Sequence, residues 1–565
     1  MTLTSTLAIA KNSLYAAQAG IQVAANNIAN ADTPGYVREK LVQAAGPTQR
    51  IGTLVTGTGV MIKGVVREID EYLQERLRAA GSDKASGEAQ EAYFIELESI
   101  IGELTDSDLS TALTTFFNRL HDVLNQPEDP AVRNMAILAG DVLTAQVRSL
   151  DSRVRALRKE SNEQIIGDVD NINQLVKQIA ELNVRIVEVE KGGYIVSDAV
   201  GLRDERDLAL KQLASLVNIT VHEQTNGSVN VFVGGDYLVF DGVTQMVKTV
   251  QYADRGLISV ELRLSRSDGL LRVSSGEIAG LIAARDDVLG GFLDQLDTFV
   301  GALINEFNKV HSSGQGLSGY QELLSEHAVA DIQLPLDEAG LAFTPVHGSF
   351  QVEIHNRQTG THTVHDIFVQ LDGLDDDTTL ASLTAALDAI DGLSAEVTVD
   401  GQLRLESESP VLEFSFARDT SGTLAALGIN TFFTGTKGYN MRLHESLLND
   451  ASKLAFSGGG IGVDARNGES LAALLTTPVE STGQVSLSQM YERWMGETAQ
   501  ASALAQAVAE GYRSFHSTLE GEHLGVSGVN LDEDAVHIMV YQQTFQVSAK
   551  VISTISELLD ILTSL

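Results

Sequence analysis

The two ends of this chain carry matching heptads, and that constrains its fold more than any other feature. Leu7, Leu14, Ile21 and Ile28 recur at every seventh position, with Leu3, Ala10, Ala17 and Ala24 four residues before each. Such a/d spacing, large residues in one row and mostly Ala in the other, makes a helix that a partner can approach closely. The helix should stop near Asn30. Pro34 has no N–H and Gly35 readily takes a positive φ, so Asp32-Thr33-Pro34-Gly35 reads as a type II turn. Residues 36–43 then read as extended chain.

At the other end, Ile538, Phe545, Ile552 and Leu559 repeat every seven residues. Tyr541, Ile555 and Leu562 add a second row, and Val540, Val547, Val551, Leu558 and Ile561 widen the apolar face. Asn530 is placed to cap this helix with Glu533 reaching back to it, and Asp532, Glu533 and Asp534 suit the positive helix end. A helix so broadly apolar has two sides to bury. Two arrangements provide for that. Both ends could pack into an ordinary globular core, or they could pair with each other and offer their outer faces to neighbouring subunits. Chain ends are usually frayed and polar, which favours assembly.

Between the ends, residues 131–190 keep a helical period. Leu143, Leu150 and Leu157 form one series; Ile165, Ile172, Ile179 and Ile186 form another after a phase shift near Asn162. Gly167 marks an expected bend or break, and Gly192-Gly193 an end. Further helices are expected at 89–104, 109–125, 202–217, 276–311 and 488–519. Two stretches read as β-rich. In 218–273 an Asn226-Gly227 turn separates strands. In 322–437 strands are expected at 350–354, 364–370, 395–399 and 403–406, with an Asp400-Gly401 hairpin turn. A helix over 380–390 follows an acidic cap at Asp375-Asp376-Asp377.

The expected fold class is therefore α+β and multidomain: a long helical coiled-coil or bundle core built from both chain ends, with two β-rich inserted domains. Residues 1–80 with 525–565 form the terminal pairing and polymerisation region. Residues 81–217 with 274–321 and 438–524 form a helical rod-like domain. Residues 218–273 are a small β insertion, and 322–437 an outer insertion of ββαββ order.

Composition removes whole classes of function. The net charge is −37, from 76 acidic and 39 basic residues. Such a surface repels phosphate backbones and anionic membranes, so neither nucleic acid nor membrane insertion is expected. There is no cysteine, hence no disulfide, thiolate metal site or Cys nucleophile. No stretch approaches the roughly 20 apolar residues that span a bilayer, and the first twenty residues do not read as a cleavable signal.

His355, His362, His365 and Asp366 are the best metal candidates, but His362 and His365 are three apart on a strand and so face opposite ways. The aspartate run with Asp372 lacks the spacing and closing Glu of an EF-hand loop. No nucleophile elbow, HExxH or Walker lysine motif occurs. The chain reads as a non-enzyme without catalytic residues, metal or cofactor.

The run Ala25-Asn26-Asn27-Ile28-Ala29-Asn30-Ala31-Asp32-Thr33-Pro34-Gly35-Tyr36 resembles the signature of flagellar rod, hook and hook-associated proteins, with Asn26, Asn27, Asn30, Thr33, Pro34, Gly35 and Tyr36 at its heart. Gly528-Val529-Asn530-Leu531-Asp532-Glu533, Tyr541-Gln542-Gln543 and Ser548-Ala549-Lys550-Val551-Ile552 are similar to the hook-associated branch of that family, as is the segment 203–217, which opens Arg203-Asp204-Glu205-Arg206-Asp207.

The resemblance implies a structural subunit at the bacterial flagellum, outside the cell, joining hook to filament. It implies self-assembly in a ring, contacts with the hook protein and with a second hook–filament junction protein, and an export chaperone on the C-terminal helix. It also implies type III export without a cleaved signal. Another axial role, in hook or distal rod, shares the N-terminal signature; a secreted adhesin or a travelling wall hydrolase are the other readings.

Overall fold

The computed structural model describes residues 3–51, 54–102, 108–191, 197–374, 376–479 and 482–564. The chain forms two compact units. One comprises Met1–Tyr93, Lys159–Asp286 and Ala503–Leu565; the other comprises Phe94–Arg158 and Asp287–Ser502. Among the described residues the helices are α1 (Leu3–Ala29), α2 (Glu71–Ile101), α3 (Leu109–Asn125), α4 (Pro130–Val189), α5 (Val200–Leu216), α6 (Glu277–Ala283) and α7 (Gly290–Ser312). They continue with α8 (Leu380–Asp388), α9 (Thr423–Leu427), α10 (Glu445–Asn449), α11 (Arg466–Ala473), α12 (Leu487–Ser527) and α13 (Leu531–Ser564). Small antiparallel sheets lie between these helices, so the molecule is α+β with its terminal helices packed together.

In the first unit, β1 (Glu39–Ala45) pairs with β4 (Val60–Arg67), enclosing a hairpin of β2 (Thr48–Ile51) and β3 (Leu54–Gly57). A second group holds the sheet β5 (Ile219–Glu223), β6 (Val229–Val233), β7 (Asp236–Phe240) and β8 (Val243–Thr244), and the pair β9 (Val247–Asp254) and β10 (Leu257–Leu264). Three asparagines of α4 fasten these strands. Asn183 exchanges two hydrogen bonds with the Val229 backbone, 2.8 and 3.0 Å, and Asn173 two with Val247, 2.8 and 2.9 Å. Asn162 accepts from the Val260 N–H at 2.8 Å. Steps of ten or eleven residues are close to three helical turns, so all three amides lie on one side of the helix. Asn183 and Asn173 each pair with strand backbone as a neighbouring strand would, and the aliphatic series Ile165, Ile172, Ile179 and Ile186 is buried.

The second unit is built around an aromatic core of Phe116, Phe117, Phe307, Phe432 and Phe433, with ring centroids 4.7–6.3 Å apart. Buried His311 stands in it, donating from Nδ1 to the Asn430 carbonyl and accepting at Nε2 from the Ala455 N–H. Residues 322–417 of this unit hold two three-stranded sheets. One runs β13 (His362–Val369), β12 (Gly348–Asn356), β16 (Leu412–Ala417); the other runs β11 (Glu322–Leu324), β15 (Leu403–Ser407), β14 (Leu393–Val397). Helix α8 and both sheets share one hydrophobic core. A two-stranded ladder of β17 (Phe433–Thr434) and β18 (Arg442–Leu443) completes the unit.

Several local expectations change. Helix α4 is helical at every residue, Gly167 included, so no break occurs there. Helix α2 begins eighteen residues before the expected start at 89; Leu73, Leu77 and Ala80, spaced at helical intervals, are buried with Leu519 of α12. The helix expected over 276–311 is interrupted by a π-helical turn, Ala284–Leu289. Helix α8 is capped by a reciprocal pair, Thr379 and Ser382, and not by the aspartate run; Asp377 instead accepts from the N–H groups of Asp372 and Gly373. Asp375 and the Gly192-Gly193 helix end lie outside the described residues.

Candidate functional site

The site that the sequence marks is the junction of α1, the turn that follows it and α13, all within the first unit. Helices α1 and α13 run antiparallel. Ser13 accepts from Ser548 at 3.0 Å, Gly20 faces Tyr541, and Asn27 donates to Asp534 at 3.3 Å. Each step of seven up one helix is matched by seven down the other, as a coiled-coil seam requires.

The seam uses the small row. Ala10, Ala17, Gly20, Ala24 and Asn27 of α1 are buried, and Asp534, Ser548 and Ile555 of α13. A Cβ on Gly20 would lie 2.6 Å from the Tyr541 ring, so the helices approach more closely there than alanine permits. The large rows singled out from the sequence flank this seam. Leu7, Leu14, Ile21 and Ile28 are half-buried, and so are Ile538, Phe545, Ile552 and Leu559. Outside them, Val536, Val540, Val547, Val551, Leu558 and Ile561 are exposed, Val547 by 59%. The side chains of this aliphatic stripe stand open to solvent among the described residues. The side chain of Leu562 lies outside the described residues.

The signature residues close the far end of the seam. The turn forms as the sequence indicates: Tyr36 N–H donates to the Thr33 carbonyl at 3.1 Å, and Gly35 has φ +82°. Asn30 donates to the side-chain oxygen of Asn26 at 3.0 Å and accepts from Thr33 Oγ1 at 3.3 Å, so the three side chains form a ladder across the helix end. Asn26 also donates to Glu39 at 2.9 Å. Buried Asn27 accepts from Tyr36 Oη at 2.8 Å and from the Glu39 N–H at 2.9 Å, and donates to the Glu39 carbonyl at 3.1 Å. Pro34 and Gly35 are exposed, and a Cβ on Gly35 would stand 3.5 Å from Leu208 of α5.

Charges that the sequence did not single out as site residues complete the closure. Arg38 binds Glu533 at 3.0 Å and lies 3.7 Å from Asp534. Glu533 is thereby engaged away from the capping role expected of it, while Asn530 accepts from the N–H groups of Asp532 and Glu533. Behind the turn, Arg67 bridges Asp204 at 3.1 Å and Asp207 at 2.5 Å, and Asp204 also accepts from the Val37 N–H. One guanidinium serving two buried carboxylates splits them. Burial outweighs Arg67 at Asp204 and raises its pKa to about 6, whereas at Asp207 Arg67 and Arg206 together outweigh burial and lower it. The signal that could have found this network is the density of charge in Arg203-Asp204-Glu205-Arg206-Asp207 within a segment of otherwise apolar period.

Among the described residues, no group of three or more His, Asp or Glu is placed to hold a metal ion. His355 sits across from His362 and binds Glu413 at 2.9 Å, while His365 lies opposite Val352. No described helix is long and apolar enough to cross a membrane.

Three family descriptions match in chain order. Residues 7–36 match "Flagella basal body rod protein", 94–323 "Flagellar hook-associated protein FlgK helical domain", and 521–565 "Flagellar basal body rod FlgEFG protein C-terminal". The chain is 26% identical to flagellar hook-associated protein 1 of Escherichia coli, covering 98% of both chains. It is 22% identical to that of Bacillus subtilis, covering 98% of this chain and 96% of the relative. Its fold is similar to the flagellar hook junction protein FlgK of Burkholderia pseudomallei, with a TM-score of 0.53 at 15% identity, over 80% of this chain and all of the other. With relatives aligned from end to end and an axial-protein motif at each terminus, the chain belongs to the flagellar hook-associated protein 1 family.

Proposed function

We propose that this chain, a structural subunit of the flagellum at the junction of hook and filament, does its work by packing and by no chemical step. The α1–α13 pair is the polymerisation region, and the exposed aliphatic stripe on α13 is where neighbouring subunits bind. That stripe is the observation that carries the reading. Six exposed aliphatic residues along one helix face are costly in water, at about 25 cal/mol per Å² of apolar surface, and a lattice neighbour removes that cost. The half-buried rows Leu7, Leu14, Ile21, Ile28 and Ile538, Phe545, Ile552, Leu559 border the stripe and complete the contact.

The partners that fit are further copies of this chain in a ring, the hook protein on one side and a second junction protein on the other. Before assembly, an export chaperone covers the same face of α13. The test is deletion of the gene, with electron microscopy of the cell surface. Bare hooks, filament protein shed into the medium and rescue by the intact gene are expected. Loss of the hook as well would move the subunit to hook or rod, and normal filaments would overturn the junction role.

A further inference from the structure

A cavity of about 540 Å³ lies beneath the signature turn, enclosed by residues 34–37, α2, α5 and the end of α12. Leu77, Leu208 and Leu524 give it apolar walls, and Arg78, Lys211 and His523 bring cationic or titratable groups to it. Its other charges are already engaged. Lys211 holds Glu520 at 3.1 Å, and Asp207 is taken by Arg67. Arg78 is not engaged. It makes no hydrogen bond or ion pair with the described residues, and Asp207, Glu75 and Glu71 act on it only through space. The Nδ1 of His523 is buried without a partner. A half-buried guanidinium with its donors open, flanked by leucines, is the geometry that receives a carboxylate on an aliphatic stem.

We infer that this cavity is the socket for an aspartate or glutamate side chain of a neighbouring copy of this chain, with Arg78 as its counter-ion. The inference rests on the reading that copies pack side by side through their terminal helices. Copies that each carry a net charge of −37 repel one another, so a ring needs local contacts of opposite sign to fix its register. A neighbouring copy is also a dense source of carboxylates, with 76 acidic residues against 39 basic ones.

The test uses the full chain in a strain lacking the gene. Arg78→Glu should leave most hooks bare although the variant is exported, and Arg78→Gln, which adds no carboxylate beside Asp207, Glu75 and Glu71, should weaken assembly in the same way with a purified monomer that melts within about 2 °C of wild type. Arg76→Glu makes the same charge change on an exposed position of α2, where Arg76 stacks on Tyr72, and should keep its filaments. Filaments at wild-type number with Arg78→Glu would overturn the inference.

If Arg78→Glu does not fold, cross-linking decides. The chain has no cysteine, so Gln212→Cys at the cavity carries a thiol-linked diazirine at one known place. Cross-links in assembled flagella to an acidic peptide of another copy support the socket; links confined to the same copy or to other flagellar proteins overturn it. A melting shift with millimolar malonate that Arg78→Gln abolishes, with filaments intact, would assign the cavity to a free dicarboxylate and likewise overturn it. Failure of the junction reading shows separately, as normal filaments on the deletion strain itself.

Discussion

Asn27 is polar and only 1% exposed, yet it is fully satisfied: both amide hydrogens and both lone pairs of its oxygen are engaged. Asn27→Ala strands the Glu39 N–H and the Tyr36 hydroxyl together, at a cost of about 1–3 kcal/mol. Denaturant unfolding followed at the terminal helices checks this, and an unchanged midpoint would show that water replaces the amide. His311 makes a pH-dependent contribution in the other unit. Burial lowers its pKa to about 4, while the unfolded imidazole titrates near 6.5. Its folded pKa is depressed, so the stability it contributes is whole above 6.5 and is lost as pH falls from 6.5 to 4, by about 3 kcal/mol in total. Burial lowers His327 and His444 too, and they act in the same direction. Stability measured at pH 7 and pH 4.5 should differ less in His311→Gln than in wild type; equal differences would remove His311 from the explanation.

At the scale of the element, the close approach of α1 and α13 depends on Gly20. Gly20→Ala puts a methyl where the Tyr541 ring stands and should cost about 1–3 kcal/mol. Amide exchange along α1 should then quicken while that along α4 stays as it was. Exchange that is uniformly unchanged would mean that the ring swings aside freely. The elements legible in the sequence are those with a clear period or a punctuating residue: α3, predicted at 109–125 and found at those residues; the Pro34-Gly35 turn; the Asp400-Gly401 turn, where φ is +82°.

What stayed illegible is carried by small or polar residues that leave no hydropathy signal. The middle of α2 meets α12 at Gly81 and Gly87, beyond the short stripe of Leu73, Leu77 and Ala80, and the asparagines of α4 look like any exposed helical residue until the strands are placed against them. The seam of α1 is a subtler case. The row Ala10, Ala17, Ala24 makes a valid heptad with the leucines and isoleucines four residues on, and an equally valid one with Ser13, Gly20 and Asn27 three residues on. Size favours the first, and close approach selects the second.

Across the whole molecule, the charge network and the helix pair divide the work. Arg38, Arg67 and the signature asparagines lock the terminal helices to the rest of their unit, and the aliphatic stripe of α13 stays exposed. The function was legible because the signature is long and specific; the contacts that deliver it were not, since they depend on residues distant in the chain, such as Asn27 with Asp534. The most direct test substitutes the stripe alone. Val540→Asp with Val547→Asp changes two exposed positions, so the monomer should keep its stability within about 0.5 kcal/mol per site. In a strain lacking the gene, this variant should be made and exported yet leave hooks bare of filaments. Filaments at wild-type number and length, from a variant shown to be incorporated, would mean that the outer face of α13 does not hold the junction together.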